Sequence, residues 1–202
     1  MEQKKGIKEA YAEFFENPDR IKFRDLIKEN TGEYNYLDFK EIWIEDGKLA
    51  KHILGMANNE GGVIVFGVEE KTDRTLKSIG LSSLEDKTKV SQKLRKFIPE
   101  KLMFDIHNFD YAGSEYGPIE NMKFQVLIVE YTPDYIPFTS ISDGSDIQKN
   151  HIYYRNVVNT EDATYEQLQD IINRRIETGH STKKEFEFRD HLACFQHLLK
   201  SY

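Results

Sequence analysis

The chain has 202 residues, of which 39% are hydrophobic, so it is long and apolar enough for one domain with a sizeable core. Its 35 Asp and Glu against 28 Lys and Arg give a net charge of −7, which argues against broad nonspecific adhesion to nucleic acid. The one cysteine, Cys194, excludes an intrachain disulfide and a cysteine-based zinc site. No apolar run has the length of a membrane span or the form of a signal peptide, so we expect a cytoplasmic protein with no membrane partner.

The beginning of the chain, residues 1–30, is predicted to be a helical extension. Apolar residues at helical spacing predict a first helix, and a second is expected from Ile21 to Lys28. The core domain is expected over residues 31–178. The remaining residues, 179–202, are predicted to add a helical tail.

A strand, a helix and two more strands should open the core domain. Alternating side chains predict a strand from Leu37 to Ile44, and helical spacing of apolar residues follows from Lys48 to Asn58. The run Val63 to Val68 is β-branched and aromatic, as in a buried strand, and a return strand is expected near Leu76 to Ile79.

A basic helix is expected next. The segment Ser82 to Glu85 has the pattern of a capping box, which predicts a helix that ends near Phe97. Its exposed face would carry Lys87, Lys89, Lys93, Arg95 and Lys96.

The last part of the core domain should contain three strands and a helix. The strands are expected near residues 103–109, 124–131 and 152–155. Thr160 or Asp162 would then cap a helix from Ala163 to about Thr178, with four residues turned inward: Tyr165, Leu168, Ile171 and Ile172.

Four short motifs follow one another along this chain. They are Glu33, Asp38, Phe39 and Lys40; Ala57, Asn58, Gly61 and Gly62; Gly67, Val68, Glu69 and Glu70; and Tyr153, Tyr154, Arg155 and Asn156 followed by Ala163 and Leu168. In this order they resemble the Schlafen-type AlbA-like domain family, described as nucleic-acid-binding modules of which some members cut RNA. The resemblance implies an α+β fold with a mixed, mainly antiparallel sheet flanked by helices.

The resemblance also implies a metal site. In the RNA-cutting relatives the corresponding acids hold the metal, which implicates Glu33, Asp38 and Glu70 as catalytic ligands of Mg²⁺ or Mn²⁺ and places Lys40 near the phosphate. This chain has Asp38 where the family usually has Glu, and Glu70 where it usually has Asp. From residue type alone, the three acids are more often solvated charges at strand ends than a metal site. Lys40 can also pair with Asp38, since side chains two apart share a strand face.

Cations near aromatic residues are candidates for nucleic-acid contact, since arginine binds phosphate and tyrosine stacks on bases. Tyrosines on a strand are also common in cores, and arginines on a helix often face solvent. The candidates are Lys40, Tyr153, Tyr154, Arg155, Arg174 and Arg175, with Arg95 and Lys96 on the basic helix.

Three functions are compatible with these features. The first is a metal-dependent endoribonuclease acting on structured RNA such as tRNA. The second is a DNA- or RNA-binding regulatory module without catalysis. The third is an interaction domain that forms a homo-oligomer, for example in an antiviral defence assembly.

Overall fold

The computed structural model describes residues 14, 18–28, 36–71, 75–113, 117–156 and 159–178. Residues 165–178 are helical, and Gly117–Ile119 forms a short 3₁₀ helix. The other described elements are α1 (Arg20–Lys28), β1 (Leu37–Lys40), α2 (Asp46–Asn59), β2 (Gly62–Phe66), β3 (Val68–Glu70), β4 (Leu76–Ser78), α3 (Lys87–Leu94), β5 (Phe104–Asp110), β6 (Lys123–Val129), β7 (Tyr153–Arg155) and β8 (Thr160–Asp162).

The main sheet has four strands in the order β1, β2, β6, β5. Strand β1 runs parallel to β2, whereas β2, β6 and β5 are antiparallel to their neighbours. Two antiparallel hairpins, β3 with β4 and β7 with β8, stand beside this sheet. The predicted fold class, α+β with a mixed and mainly antiparallel sheet flanked by helices, is confirmed.

Both faces of the main sheet are buried, as the continuous apolar runs of β2 and β6 require. One face packs Ile64 and Phe66 against the apolar side of α2. The opposite face packs Val63 and Val65 with Phe14 and Phe23, which belong to the N-terminal region. The N-terminal region therefore contributes to the core as well as preceding it.

A glycine divides the predicted strand from Val63 to Val68 into two strands. Gly67 has a φ angle of +102°, a backbone conformation that residues with a side chain rarely adopt. A Cβ at this position would lie 2.9 Å from the Phe124 ring. The chain therefore leaves the main sheet after β2, and β3 begins a separate hairpin.

The predicted capping box before α3 is wrong. The N-cap residue is Asp86, whose side chain accepts a hydrogen bond of 3.0 Å from the Lys89 amide. Glu85 is not helical because the side chain of Gln125, on β6, binds its main chain. Gln125 Oε1 accepts from the Glu85 amide at 2.8 Å, and Gln125 Nε2 donates to the Glu85 carbonyl at 2.9 Å. A residue 40 positions away thus sets the start of this helix.

The last helix also begins later than expected, because Thr160 and Asp162 form strand β8. Thr164 and Gln167 make reciprocal side-chain to main-chain bonds of 2.9 and 3.3 Å, which is a capping box for residues 165–178. Tyr165 was expected to face inward but is 72% exposed. None of the described helices has the length and apolar character needed to cross a membrane.

Candidate functional site

The candidate site is centred on Asp38, which is fully buried on β1. Leu37 and Phe39 point to one face of the main sheet, so Asp38 and Lys40 share the opposite face, beside α2. The Lys40 ammonium donates to Asp38 Oδ1 at 2.6 Å and to the Phe39 carbonyl at 3.2 Å. Lys40 therefore pairs with Asp38, and its contact with a phosphate stays a prediction.

Arg155, at the end of β7, approaches the other oxygen of Asp38. Its Nη1 lies 3.4 Å from Asp38 Oδ2, and its side chain is 1% exposed. Two cations therefore face one buried carboxylate, which offsets the cost of burying each charge. A direct contact of Arg155 with nucleic acid would require this arrangement to open, and that role stays a prediction.

His52 on α2 completes the cluster. Its Nδ1 lies 3.2 Å from Arg155 Nη1 and 3.0 Å from Thr160 Oγ1. The pKa of His52 is lowered to about 4, chiefly by burial; the Asp38 charge raises this pKa, and the weaker effects of Lys40 and Arg155 lower it. The imidazole is thus neutral near pH 7, with Nδ1 accepting from Arg155 and the remaining proton on Nε2.

Sequence reasoning missed His52. It is a single histidine within an amphipathic helix, and neither metal-ligand spacing nor a catalytic motif marks it. One signal was available in the sequence. His52 is the direct neighbour of the apolar Ile53 in a predicted helix, so its ring is expected near the edge of the buried side of α2.

Close packing of α2 against the β7–β8 hairpin brings these residues together. A Cβ at Gly55 would lie 2.4 Å from Thr160 Cγ2, so only glycine lets the hairpin approach this closely. Asn59 Nδ2 donates to the Arg155 carbonyl at 3.2 Å. The side chain of the buried Asn58 donates to the carbonyls of Phe138 and Tyr153 and accepts from the Phe138 amide. Asn58 and Asn59 therefore hold the β7–β8 hairpin against α2.

Two of the three predicted metal ligands, Asp38 and Glu70, lie within the described residues. Glu33 lies outside the described residues, and Glu70 is half-buried at the end of β3, which lies against β1. Within the described part of the chain, no three acidic, histidine or cysteine side chains are grouped to hold a metal ion. As described, Asp38 does not fit a divalent cation, because Lys40 and Arg155 face its two oxygens. The three-acid site stays a prediction.

Several candidate nucleic-acid contacts have structural partners. Arg95 Nη1 donates to the carbonyls of residues 99, 100 and 102, just after α3. Arg174 Nη2 donates to the Asn58 carbonyl at 2.7 Å, and Arg175 Nη1 donates to the Ile136 carbonyl at 3.0 Å. The hydroxyl groups of the tyrosines are also engaged: Tyr154 donates to Asn59 Oδ1, and Tyr153 accepts from the Gln148 amide.

The lysines of α3 are exposed cations on a helix that contacts α2. Val90 and Leu94 bury one side of the helix, and the lysines project from the remaining surface. Lys93 lies 3.8 Å from Asp46 in an exposed pair that contributes little to stability. The exposed lysines of this basic face are Lys87, Lys89 and Lys93, and the exposed Lys96 follows just after the helix ends at Leu94.

The fold and site define an α+β domain that encloses a buried ion cluster and carries a basic helix on its surface. A family model described as Schlafen, AlbA_2 matches residues 33–164, which is more than half of the chain. The chain belongs to this family, and the resemblance found in the sequence motifs is confirmed. The family is associated with nucleic acid. A comparison with curated proteins found no match.

Proposed function

We propose that this chain binds structured nucleic acid, with RNA of the tRNA type as its ligand, through the basic face of α3. The observation that carries the proposal is the set of exposed lysines on this helix, supported by membership of a nucleic-acid-associated family. Lys89 and Lys93 are one helical turn apart, and both are exposed beside the buried Val90 and Leu94. Such a row can follow a phosphate backbone even on a protein of net charge −7, because the contact is local.

The test is the salt dependence of binding. The double variant Lys89→Gln/Lys93→Gln should weaken binding to total tRNA, and the slope of log K against log salt should fall by about two because two phosphate contacts are lost. Lys77→Gln is the matched control, since Lys77 is an exposed lysine on β4, in the β3–β4 hairpin and not on α3. An unchanged salt slope in the double variant would contradict the proposal.

A second candidate function is divalent-metal-dependent cleavage of the same RNA. It is favoured by one observation: Asp38 and Glu70 lie on strands β1 and β3, which are in contact, and Glu33 precedes β1 in the sequence. Lys40 is the group of this site best suited to meet a phosphate, since its side chain is 23% exposed while Asp38 is buried.

Incubation of the full chain with total tRNA, and with single- and double-stranded DNA, tests the second candidate. Mn²⁺, Mg²⁺ and chelator are compared for the wild type and for Glu33→Ala. Glu41→Ala is the control because Glu41 is an exposed acid directly after β1. Cleavage that needs metal and is lost only in Glu33→Ala is expected; intact RNA under every condition would leave binding as the function.

A further inference from the structure

Two exposed tyrosines lie at the turn that follows β6. Tyr131 is 38% exposed and Tyr135 is 47% exposed. The Tyr135 amide donates a hydrogen bond of 3.0 Å to the Thr132 carbonyl, which closes the turn. Ile136, directly after the turn, is fully buried, and its carbonyl accepts a bond of 3.0 Å from Arg175. The scaffold therefore presents both rings at the surface from a fixed backbone.

A cation lies over each of the two rings. Lys101 Nζ is 5.4 Å from the centre of the Tyr135 ring, and Arg174 Cζ is 6.0 Å from the centre of the Tyr131 ring. Both distances are within the range of cation–π attraction. Arg174 is held in place by its bond of 2.7 Å to the Asn58 carbonyl. The cations orient the rings, and the exposed part of each tyrosine is open to a flat ligand.

Lys101 connects this turn with the basic face of α3. It lies in the segment directly after the helix, where the carbonyls of residues 99, 100 and 102 accept bonds from Arg95 Nη1. The exposed Lys96 lies in the same segment. A strand of nucleic acid bound along the lysines of α3 can therefore continue past Lys96 and Lys101 to Tyr135.

The charges around the turn balance one another. Glu130 and Asp134 are exposed acids on the same segment as the tyrosines, and Lys101 and Arg174 offset them. The turn therefore has little attraction for phosphate groups. It offers aromatic surface instead, on which bases of any sequence can stack. The bases of a duplex are already stacked and paired, so only unpaired nucleotides can use this surface.

We propose that Tyr131 and Tyr135 form a stacking platform for unpaired nucleotides of the nucleic acid that binds the basic face of α3. The proposal rests on the proposed function and adds the kind of ligand, which is an RNA with a single-stranded segment beside the part that the lysines hold. The lysines contact phosphates, and the tyrosines contact bases.

The test measures binding of a short, labelled oligoadenylate by fluorescence anisotropy. The variant Tyr131→Leu/Tyr135→Leu keeps apolar side chains at exposed positions but has no aromatic faces, so it should bind about tenfold or more weakly than the wild type. Its slope of log K against log salt should be unchanged, because no phosphate contact is lost. Tyr165→Leu is the matched control, since Tyr165 is a 72% exposed tyrosine at the start of the last helix.

An oligomer of the same length and charge but without bases separates stacking from attraction to the backbone. The wild type should bind this abasic oligomer about as weakly as the tyrosine variant binds oligoadenylate. A 2-aminopurine within the oligoadenylate, whose fluorescence falls on stacking, should be quenched by the wild type and not by the variant. The platform is overturned by equal affinity of the wild type for both oligomers, by unchanged affinity of the tyrosine variant, or by an equal loss in Tyr165→Leu.

The platform and the basic face fail in different ways. If Lys89→Gln/Lys93→Gln lowers the salt slope for tRNA while the tyrosine variant behaves as wild type, the basic face stands and the platform is wrong. If only the tyrosine variant loses affinity, the stacking site stands and the basic face is wrong. A concentration-dependent mass that the tyrosine variant loses, with oligomer binding unchanged, would make the turn an interface between copies and overturn the platform.

Discussion

The neutral, buried state of His52 gives this protein an acid-sensitive stability. In the unfolded chain the imidazole has its ordinary pKa of 6.5, whereas in the fold burial lowers the pKa to about 4. Above pH 6.5 the imidazole is neutral in both states, so the full stability is present. As the pH falls from 6.5 towards 4, the unfolded chain takes up a proton that the folded chain does not, and stability is lost.

The size of this loss follows from the two pKa values. The difference of about 2.5 units corresponds to roughly 3 kcal/mol when the loss is complete, and to about 2 kcal/mol at pH 5. The His52 side chain is 12% exposed, so solvent screening reduces these values only modestly. The free energy of unfolding should therefore fall between pH 7 and pH 5 by about 2 kcal/mol more than it would without His52.

Urea unfolding of the wild type and of His52→Gln at pH 7, 6 and 5 measures this difference. Glutamine keeps an acceptor for Arg155 and Thr160 but does not titrate, and the other acid-sensitive groups are common to both proteins. His151→Gln, at a histidine that bonds Asp162 elsewhere on the surface, is the matched control. The reasoning is refuted if wild type and His52→Gln lose the same free energy from pH 7 to pH 5, or if the imidazole titrates near 6.5 by NMR.

Three further predictions concern the packing that builds the site. Asn58→Ala should lower the free energy of unfolding by roughly 3 kcal/mol in urea, because buried main-chain groups lose their partners; Asn156→Ala, at an exposed residue, should have a much smaller effect. Gly55→Ala should lower the thermal midpoint, since its Cβ would meet Thr160 Cγ2 at 2.4 Å, and Thr160→Ser, which removes that methyl group, should recover part of the loss; independent effects of the two changes would contradict this packing argument. Burial raises the pKa of Tyr111 to about 12, so the wild type should lose stability between pH 10 and 12, and Tyr111→Phe should show a smaller loss over that range in alkaline urea titrations.

The sequence by itself determined the strands and helices whose signals are local. The short β-branched run of β2 favours a buried strand, and the alternation in β1 placed Asp38 and Lys40 on one face. The order of the short motifs was enough to indicate the family. These features depend on neighbouring residues, so periodicity and motif spacing contain them.

Only the tertiary structure decided what surrounds Asp38. Arg155 lies 117 positions from Asp38 in the sequence, and the Thr160 hydroxyl group is 108 positions from His52. Nothing local in the chain records these pairings, because they arise when α2 packs against the β7–β8 hairpin at Gly55. The same cause turned Arg155 from an expected surface contact into a buried partner of Asp38 and gave an unmarked histidine a place beside it.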